Sequence, residues 1–90
     1  MKLLYSEEAV DNLRLFDPVE RQLIAKKLRY LAENFDALRQ TKKVRELKGT
    51  QYPDQYRYVI ARKIRAIFRV DGDKLVLLIL RIGRRKDVYE

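Results

Sequence analysis

The sequence of 90 residues contains no cysteine and no histidine, and only three glycines and two prolines. The missing cysteines exclude disulfides, thiolate metal sites and cysteine nucleophiles. The missing histidines exclude every mechanism that depends on an imidazole, and so few glycines leave no glycine-rich phosphate-binding loop. Any chemistry in this chain must therefore come from charged groups, hydroxyls and phenols.

Long hydrophobic runs are also missing. The longest apolar stretch, Leu75–Leu80, is far shorter than the ~20 residues that a membrane-spanning helix needs, and nothing resembles a secretory leader. Apolar residues still make up 47% of the chain, which is enough for a modest core. We therefore predict a single domain over residues 1–90 of a cytoplasmic protein that has no membrane contact.

Negative charge is scarce in one part of the chain. Residues 1–40 carry seven basic and seven acidic side chains, whereas residues 41–70 carry nine basic and two acidic ones. Most of the net charge of +8 therefore lies in the second half. This segregation is typical of proteins that bind a polyanion such as RNA, DNA or an acidic protein, although some small basic proteins are merely soluble.

Helix signals dominate the first 40 residues. Ser6 is a hydroxyl cap followed by two acidic residues, and Asp17-Pro18 with Glu20 forms a second and stronger helix start. The apolar stripe of the second helix consists of Leu23, Ile24, Leu28, Leu31 and Phe35. These patterns predict two amphipathic helices joined by a tight turn.

Three later segments have the length and the β-branched and aromatic content of strands: Gln55–Ile60, Ile64–Val70 and Lys74–Ile82. Asp71-Gly72-Asp73 is a hairpin turn signal, and Met1–Tyr5 suits either an edge strand or the lead into a helix. Alternation in the middle segment predicts one apolar face and one face with arginines. The predicted fold is α+β, with an N-terminal helical hairpin packed on a small antiparallel β-sheet.

Proton transfer in this chain falls to Lys, Tyr, Asp or Glu, because arginine stays protonated. Acidic residues are scattered, so a two-metal carboxylate site has no obvious ligands. What remains is an arginine cluster interleaved with tyrosines: Tyr56, Arg57, Tyr58, Arg65, Arg69, Arg81, Arg84, Arg85 and Tyr89. Such a set suits attack of an RNA 2′-hydroxyl on the neighbouring phosphate, since arginines neutralise the phosphate oxygens. We predict phosphate roles for Arg57 and Arg65, and packing roles for Tyr56 and Tyr58.

Five motifs follow one another in a characteristic order: Leu47-Lys48-Gly49, Tyr56-Arg57, Arg65 in an Ile-Arg strand, the Asp71-Gly72 hairpin, and Ile82–Tyr89. This order resembles that of the RelE/ParE superfamily of bacterial toxins over nearly the whole chain. The glycine, the basic pair and the final Val-Tyr of the last motif are closer to RelE than to ParE.

The resemblance implies a RelE-like microbial RNase fold and a toxin of a type II toxin–antitoxin system. RelE-type toxins are ribosome-dependent endoribonucleases that cut the mRNA codon in the A site, and a cognate antitoxin neutralises them. The implied partners are thus the ribosome, mRNA and an antitoxin, with no metal and no cofactor.

The resemblance also assigns roles to individual residues. Arg65 matches the strand arginine that stabilises the phosphate transition state, and Arg85 matches the arginine of the terminal motif. Tyr89 matches the terminal tyrosine, which stacks on a base or orients the 2′-hydroxyl, and Arg57 takes the first basic position after the strand tyrosine. The remaining basic residues are expected to bind RNA: Lys48, Arg62, Lys63, Arg69, Arg81 and Arg84.

The chain departs from RelE on the first sheet strand, where Arg57 and Val59 replace lysines that transfer protons. The proton acceptor is therefore left open among Lys48, Lys63 and Tyr89. Two other functions also remain open at this point. One is a ParE-like toxin that inhibits DNA gyrase without cleaving RNA, and the other is a basic nucleic-acid-binding module without catalysis.

Overall fold

The computed structural model describes residues 1–49 and 54–88, in which helices pack on one face of a five-stranded sheet. The elements in chain order are β1 (Lys2–Tyr5), α1 (Glu7–Leu13), α2 (Pro18–Glu33), α3 (Phe35–Leu38), β2 (Val44–Glu46), β3 (Gln55–Ala61), β4 (Ile64–Asp71) and β5 (Val76–Arg84). The predicted α+β fold is confirmed. None of the helices in these ranges is long and apolar enough to cross a membrane.

Both helices of the hairpin begin where the sequence predicts. The Ser6 hydroxyl accepts a hydrogen bond from the Ala9 backbone N–H at 3.0 Å, and the Asp17 carboxylate accepts one from the Glu20 N–H at 2.8 Å. Pro18 occupies the first turn of α2, where a missing N–H leaves no helical hydrogen bond unmade. The Ser6 cap fixes the junction between β1 and α1, and the Asp17 cap fixes the end of the turn between α1 and α2.

The strand order is β1-β5-β4-β3-β2. The sheet is antiparallel from β2 through β5, as predicted, and β1 adds a parallel strand at the β5 edge. Alternation in the sequence does not set the direction in which two distant strands pair, so the parallel pairing was not predictable from it. The three-residue strand β2 at the other edge was not predicted either, because a strand so short shows no alternating pattern.

The core lies between the helices and the face of the sheet that they cover. The ring of Phe35 stands edge-on to the rings of Tyr56 and Phe68, with centroid distances of 5.4 and 5.9 Å. The Tyr56 and Phe68 rings stack at 5.4 Å, and Tyr58 is 2% exposed. Tyr56 and Tyr58 therefore pack against the core, as predicted, and do not present their rings on the opposite face of the sheet.

Beyond Tyr5 of β1, the side chains of Ser6 and Asn12 take the place of a pairing strand beside the second half of β5. β1 pairs with β5 only as far as Tyr5, and the β4–β5 ladder shifts register immediately afterwards, with Leu80 as the extra residue. The Ser6 hydroxyl donates to the Leu80 carbonyl oxygen at 2.7 Å, and the Asn12 side-chain oxygen accepts from the Ile82 N–H at 2.9 Å. These bonds satisfy backbone N–H and carbonyl groups at the edge of β5, just before its basic terminal residues.

Candidate nucleic-acid interface

The sheet has one face that the helices cover and one that no helix within residues 1–49 and 54–88 covers. We name the second the open face. Register places four residues side by side across β2, β3, β4 and β5 on the open face: Arg45, Arg57, Ile67 and Arg81. Three arginines from three different strands thus lie in one row, with an isoleucine between two of them.

Ile67, at the centre of this row, is inaccessible to solvent, although no helix among the described residues packs on this face. Ile67 is 0% exposed, and its cross-strand neighbours are Arg57 and Arg81. Arginine stems cover apolar surface while their guanidinium groups stay near water. Arg57 donates from one terminal nitrogen to the Lys42 carbonyl oxygen at 3.0 Å, but its Nε is buried and has no partner among the described residues. This Nε–H is therefore a buried donor without an acceptor among the described residues, which costs free energy.

Arg65 lies in the next row of the open face, between Val59 and Gly83. It is buried, at 9% exposure, whereas the sequence predicted an arginine exposed on the strand face. Its Nη1 donates to the carbonyl oxygens of Ala61 at 2.7 Å and Arg62 at 3.1 Å, and lies 3.2 Å from that of Ile64. The Arg65 guanidinium therefore holds the turn between β3 and β4.

The two arginines at the end of β5 point to different parts of the molecule. Arg84 pairs with Ile64 on the helix side, where its Nη1 lies 3.1 Å from a Glu20 carboxylate oxygen. Its guanidinium carbon also lies 5.0 Å from the centre of the Phe16 ring. The predicted RNA-binding residue Arg84 thus joins the terminal motif to the helical hairpin through an ion pair and a cation–π contact.

The segment after β5 turns back to the loop between β3 and β4. The Arg85 N–H donates to the Lys63 carbonyl oxygen at 2.8 Å, and Val88, 4% exposed, packs against Gly83. The loop and the terminal motif together form a basic cleft lined by Arg62, Lys63, Arg84, Arg85 and Lys86. We name it the turn cleft.

The other predicted site residues are more scattered. Arg69 is exposed on the open face, one alternation beyond Ile67. Lys48 is exposed beyond the end of β2, at the opposite edge of the sheet from β5. Tyr89 lies outside the described residues, as does most of the predicted loop from Gly49 to Pro53. The structure therefore brings the predicted cations of the β3–β4 turn together with those at the end of β5, while Lys48 stands apart.

Two tyrosines with perturbed ionisation lie on the helix side of the sheet. Burial raises the pKa of Tyr58, and the neighbouring Tyr30 phenol raises it further. Burial also raises the pKa of Tyr5, an effect that the charge of Arg29 partly offsets. Both phenols stay protonated at neutral pH, so neither serves as a proton acceptor for chemistry on the open face.

Comparison with known protein families shows which family this sequence matches. The family of ParE toxins of the type II toxin-antitoxin system parDE matches residues 4–89. This chain belongs to the ParE toxin family. The predicted membership in the RelE/ParE superfamily is thereby confirmed. No curated protein sequence matches this ParE-family chain significantly.

Solved toxin structures share the architecture of this ParE-family chain. The RelBE2 toxin–antitoxin complex from Mycobacterium tuberculosis superposes with a TM-score of 0.77 at 14% identity, covering 93% of this chain and 96% of the other. The RelE–RelB complex from Pyrococcus horikoshii gives 0.73 at 21% identity, with 97% of both chains covered. The intact RelBE complex of E. coli gives 0.67 at 23% identity, covering 92% and 94%. At such low identities these likenesses establish the fold.

Two basic residues of the interface were missed by the site prediction for this ParE-family chain. Arg45 stands opposite Arg57 in the register of β2 and β3, and Lys86 lines the turn cleft. A signal for Arg45 exists in the sequence, since it follows the apolar Val44 as a residue on the other face of a strand would. Lys86 directly follows Arg84 and Arg85, which were both predicted.

Proposed function

We propose that this toxin is a ribosome-dependent endoribonuclease that cuts mRNA in the A site by metal-free attack of the RNA 2′-hydroxyl on the adjacent phosphate. The observation that carries the proposal is the row of Arg45, Arg57 and Arg81 on the open face. Guanidinium groups bind phosphate oxygens in fixed geometry and stabilise the charge that builds on them.

The proposed reaction forms a bond between the 2′-oxygen and phosphorus and breaks the bond from phosphorus to the 5′-oxygen. The 2′-hydroxyl proton passes to an acceptor, and the leaving 5′-oxygen takes a proton from water, which leaves a 2′,3′-cyclic phosphate and a 5′-hydroxyl end. Arg57 and Arg85 contact the scissile phosphate, because both reach water and neither is ion-paired among the described residues. Arg65, whose guanidinium binds the turn carbonyls, positions the site, and Tyr89 stacks on a base or orients the 2′-hydroxyl.

The proton acceptor in this proposal is chosen among Lys63, Lys48 and Tyr89. Lys63 is favoured over Lys48 by its backbone bond to Arg85, which keeps the two residues together. Lys48 lies beyond β2, whereas Arg85 follows β5 across the sheet. The variant Lys63→Met is expected to lose cleavage while it keeps its fold, and Lys48→Met is the matched comparison.

A cognate antitoxin is the proposed inhibitor in the cytoplasm. Antitoxins accompany the similar toxins in the M. tuberculosis, P. horikoshii and E. coli complexes. An acidic amphipathic segment would complement the arginine row and exclude RNA from it, because opposite charges attract and the phosphate sites would be occupied.

The deciding experiment is primer extension on a cellular message shortly after this protein alone is induced. We expect new cuts within translated codons for the wild type, none for Arg85→Ala, and wild-type cutting for Arg21→Ala. Arg21 is an exposed arginine on α2, so it controls for loss of one positive charge. Equal cutting by the wild type and Arg85→Ala, or intact messages in all three, would contradict the proposal.

Inhibition of DNA gyrase is the second candidate function. Val59 stands directly opposite Arg65, at a position where the resemblance to RelE places a proton-transferring lysine, and an apolar residue there favours a toxin that acts by binding. This alternative predicts growth arrest with intact messages. It also predicts stalled DNA cleavage complexes when purified gyrase is mixed with this protein.

A further inference from the structure

Arg84, at the end of β5, makes a two-pronged contact with the helical hairpin. Its Nη1 donates to Glu20 Oε2 at 3.1 Å, and its Nη2 lies 3.4 Å from Glu20 Oε1. Its guanidinium carbon lies 5.0 Å from the centre of the Phe16 ring. Two parallel bonds and a ring contact restrict the guanidinium to one orientation, whereas a single bond would leave it free to rotate.

The backbone of Arg84 organises the residues that follow it. Its carbonyl oxygen accepts the N–H groups of Asp87 at 2.9 Å and of Val88 at 3.1 Å. Val88 is 4% exposed, and its Cα lies 3.5 Å from the place that a Cβ on Gly83 would occupy. We name residues 85–88 the terminal segment. This segment is folded directly around Arg84.

Glu20 supplies the opposite charge that Arg84 needs in a basic environment. Arg84 lines the turn cleft with four other cations: Arg62, Lys63, Arg85 and Lys86. Like charges this close repel one another, so an unpaired guanidinium at this place would be pushed away from its neighbours. The Glu20 carboxylate opposes that repulsion and keeps the Arg84 guanidinium against α2.

The Glu20 side chain serves the end of β5 and not its own helix. Asp17 caps α2 by accepting the Glu20 backbone N–H at 2.8 Å, which places Glu20 in the first turn. In a capping box, the acidic side chain at this position would reach back to the backbone N–H of the cap residue. Here both carboxylate oxygens contact Arg84 instead. The Glu20 side chain can therefore be replaced without removing the cap.

We propose that Glu20 is a positioning residue, which acts through Arg84 to fix the direction of the terminal segment from Arg85 onward. The Arg85 N–H donates to the Lys63 carbonyl oxygen at 2.8 Å, so a displaced Arg84 would strain this bond and move the Arg85 side chain. A displacement of about 1 Å in a group that contacts the reacting atoms can cost roughly a hundredfold in rate. The catalytic consequence rests on the proposed function, whereas the positioning of the terminal segment does not.

The first test measures hydrogen exchange of the Arg85 and Val88 amides and needs no RNA. Glu20→Ala should accelerate both about tenfold, because local opening of the terminal segment becomes easier. Amides of β4 should change less, since a partly exposed ion pair adds little to global stability. The matched control Glu7→Ala removes an exposed acid from the first turn of α1 and should leave the Arg85 and Val88 amides at their wild-type rates.

The second test measures single-turnover cutting of a ribosome-bound message. Glu20→Ala should lower the maximal rate about tenfold, because Arg85 is misplaced. The toxin concentration that gives half of this rate should stay near the wild-type value, since Glu20 does not contact RNA. Glu7→Ala should cut like the wild type.

A charge swap separates positioning from direct binding by Arg84. Glu20→Arg and Arg84→Glu each bring like charges together and should both slow cutting. The double variant Glu20→Arg/Arg84→Glu restores an opposite pair and should recover most of the lost rate. A double variant as slow as Arg84→Glu alone would show that the Arg84 charge itself is needed at its place, and would overturn the proposal.

The two readouts distinguish failure of this role from failure of the proposed function. Wild-type exchange at Arg85 and Val88 in Glu20→Ala would overturn the positioning role, and so would an equal acceleration throughout β4. Cutting at the wild-type rate by Glu20→Ala would overturn its catalytic consequence. Messages left intact by the wild type, with the acceleration still confined to the terminal segment, would refute the nuclease and support the positioning role.

Discussion

The two faces of the sheet are built from the same strands, but the buried residues on each face have different neighbours. On the helix side, Phe68 is 0% exposed beneath Phe35 and beside Tyr56. On the open face, the adjacent residue Ile67 is also 0% exposed, but its register neighbours are Arg57 and Arg81. One residue lies among packed aromatic rings, and the other lies between two arginines in the register of the sheet.

This difference shows how a small domain keeps a charged surface without exposing its core. Long arginine side chains can cover apolar surface with their stems while their charged ends stay near water. The helix face carries the aromatic cluster, and the open face combines a buried isoleucine with a row of arginines. Substitutions on the two faces should therefore have different consequences.

The largest effect is expected from truncating adjacent core residues on the two faces. Phe68→Ala should lower the free energy of unfolding by about 3–5 kcal/mol, because the packed rings around it cannot collapse into the cavity. Ile67→Ala should cost about 2 kcal/mol, since mobile arginine stems can close over the smaller side chain. Urea denaturation measures both values.

The m-value serves as the control for this pair, because an unchanged slope shows that both variants unfold from a native state of similar compactness. If Ile67→Ala costs as much as Phe68→Ala, the arginine stems are as rigid as the aromatic core, and the proposed distinction between the faces is wrong.

An intermediate effect is expected at the edge of β5, where the Asn12 side chain accepts a backbone hydrogen bond that a neighbouring strand would otherwise accept. Asn12→Ala removes the acceptor of the Ile82 N–H and should lower the free energy of unfolding by about 1–3 kcal/mol, the cost of an unsatisfied buried donor. Hydrogen exchange of the Ile82 amide should accelerate. Asn34→Ala, which removes an exposed side-chain bond to the Tyr30 carbonyl, is the comparison and should cost less.

The smallest effect is expected from charge on the open face. Arg45→Gln removes one of two arginines that stand directly opposite each other, so the free energy of unfolding should rise by about 0.2–1 kcal/mol at low salt. RNA binding should weaken in the same variant. The gain in stability should vanish in 0.5 M salt, roughly, where exposed charges are screened. A gain that persists at high salt would show that repulsion is not its cause.

Much of the architecture was predictable because its signals are local. The caps at Ser6 and Asp17 act within three residues of themselves, and the strand predictions for β3 and β4 differ from the structure by one residue at the C-terminal end. The packing roles of Tyr56 and Tyr58 were also predicted, because strand tyrosines more often pack than serve as platforms for bases. The parallel pairing of β1 and the short strand β2 were not predictable, because each depends on a partner far away in the sequence.

The candidate site was predicted as a set of residues rather than as an arrangement. Arg84 and Arg85 are neighbours in the sequence, yet Arg84 is paired with Glu20 and Arg85 is joined to the β3–β4 turn. Arg65 was expected to be exposed on a strand face, but it is buried against turn carbonyls. No spacing in the sequence distinguishes these outcomes, since each depends on which element lies opposite.

By itself, the sequence determined the two capped helices, the alternating strands and the concentration of positive charge in the second half. These properties depend on residues a few positions apart, and short-range sterics and hydrogen bonding are enough to specify them. Only the tertiary structure decided which arginines share a row, which one holds a turn and which five cations line the turn cleft. Strand register and the return of the chain after β5 set those relations, because they bring together residues that are distant in the sequence.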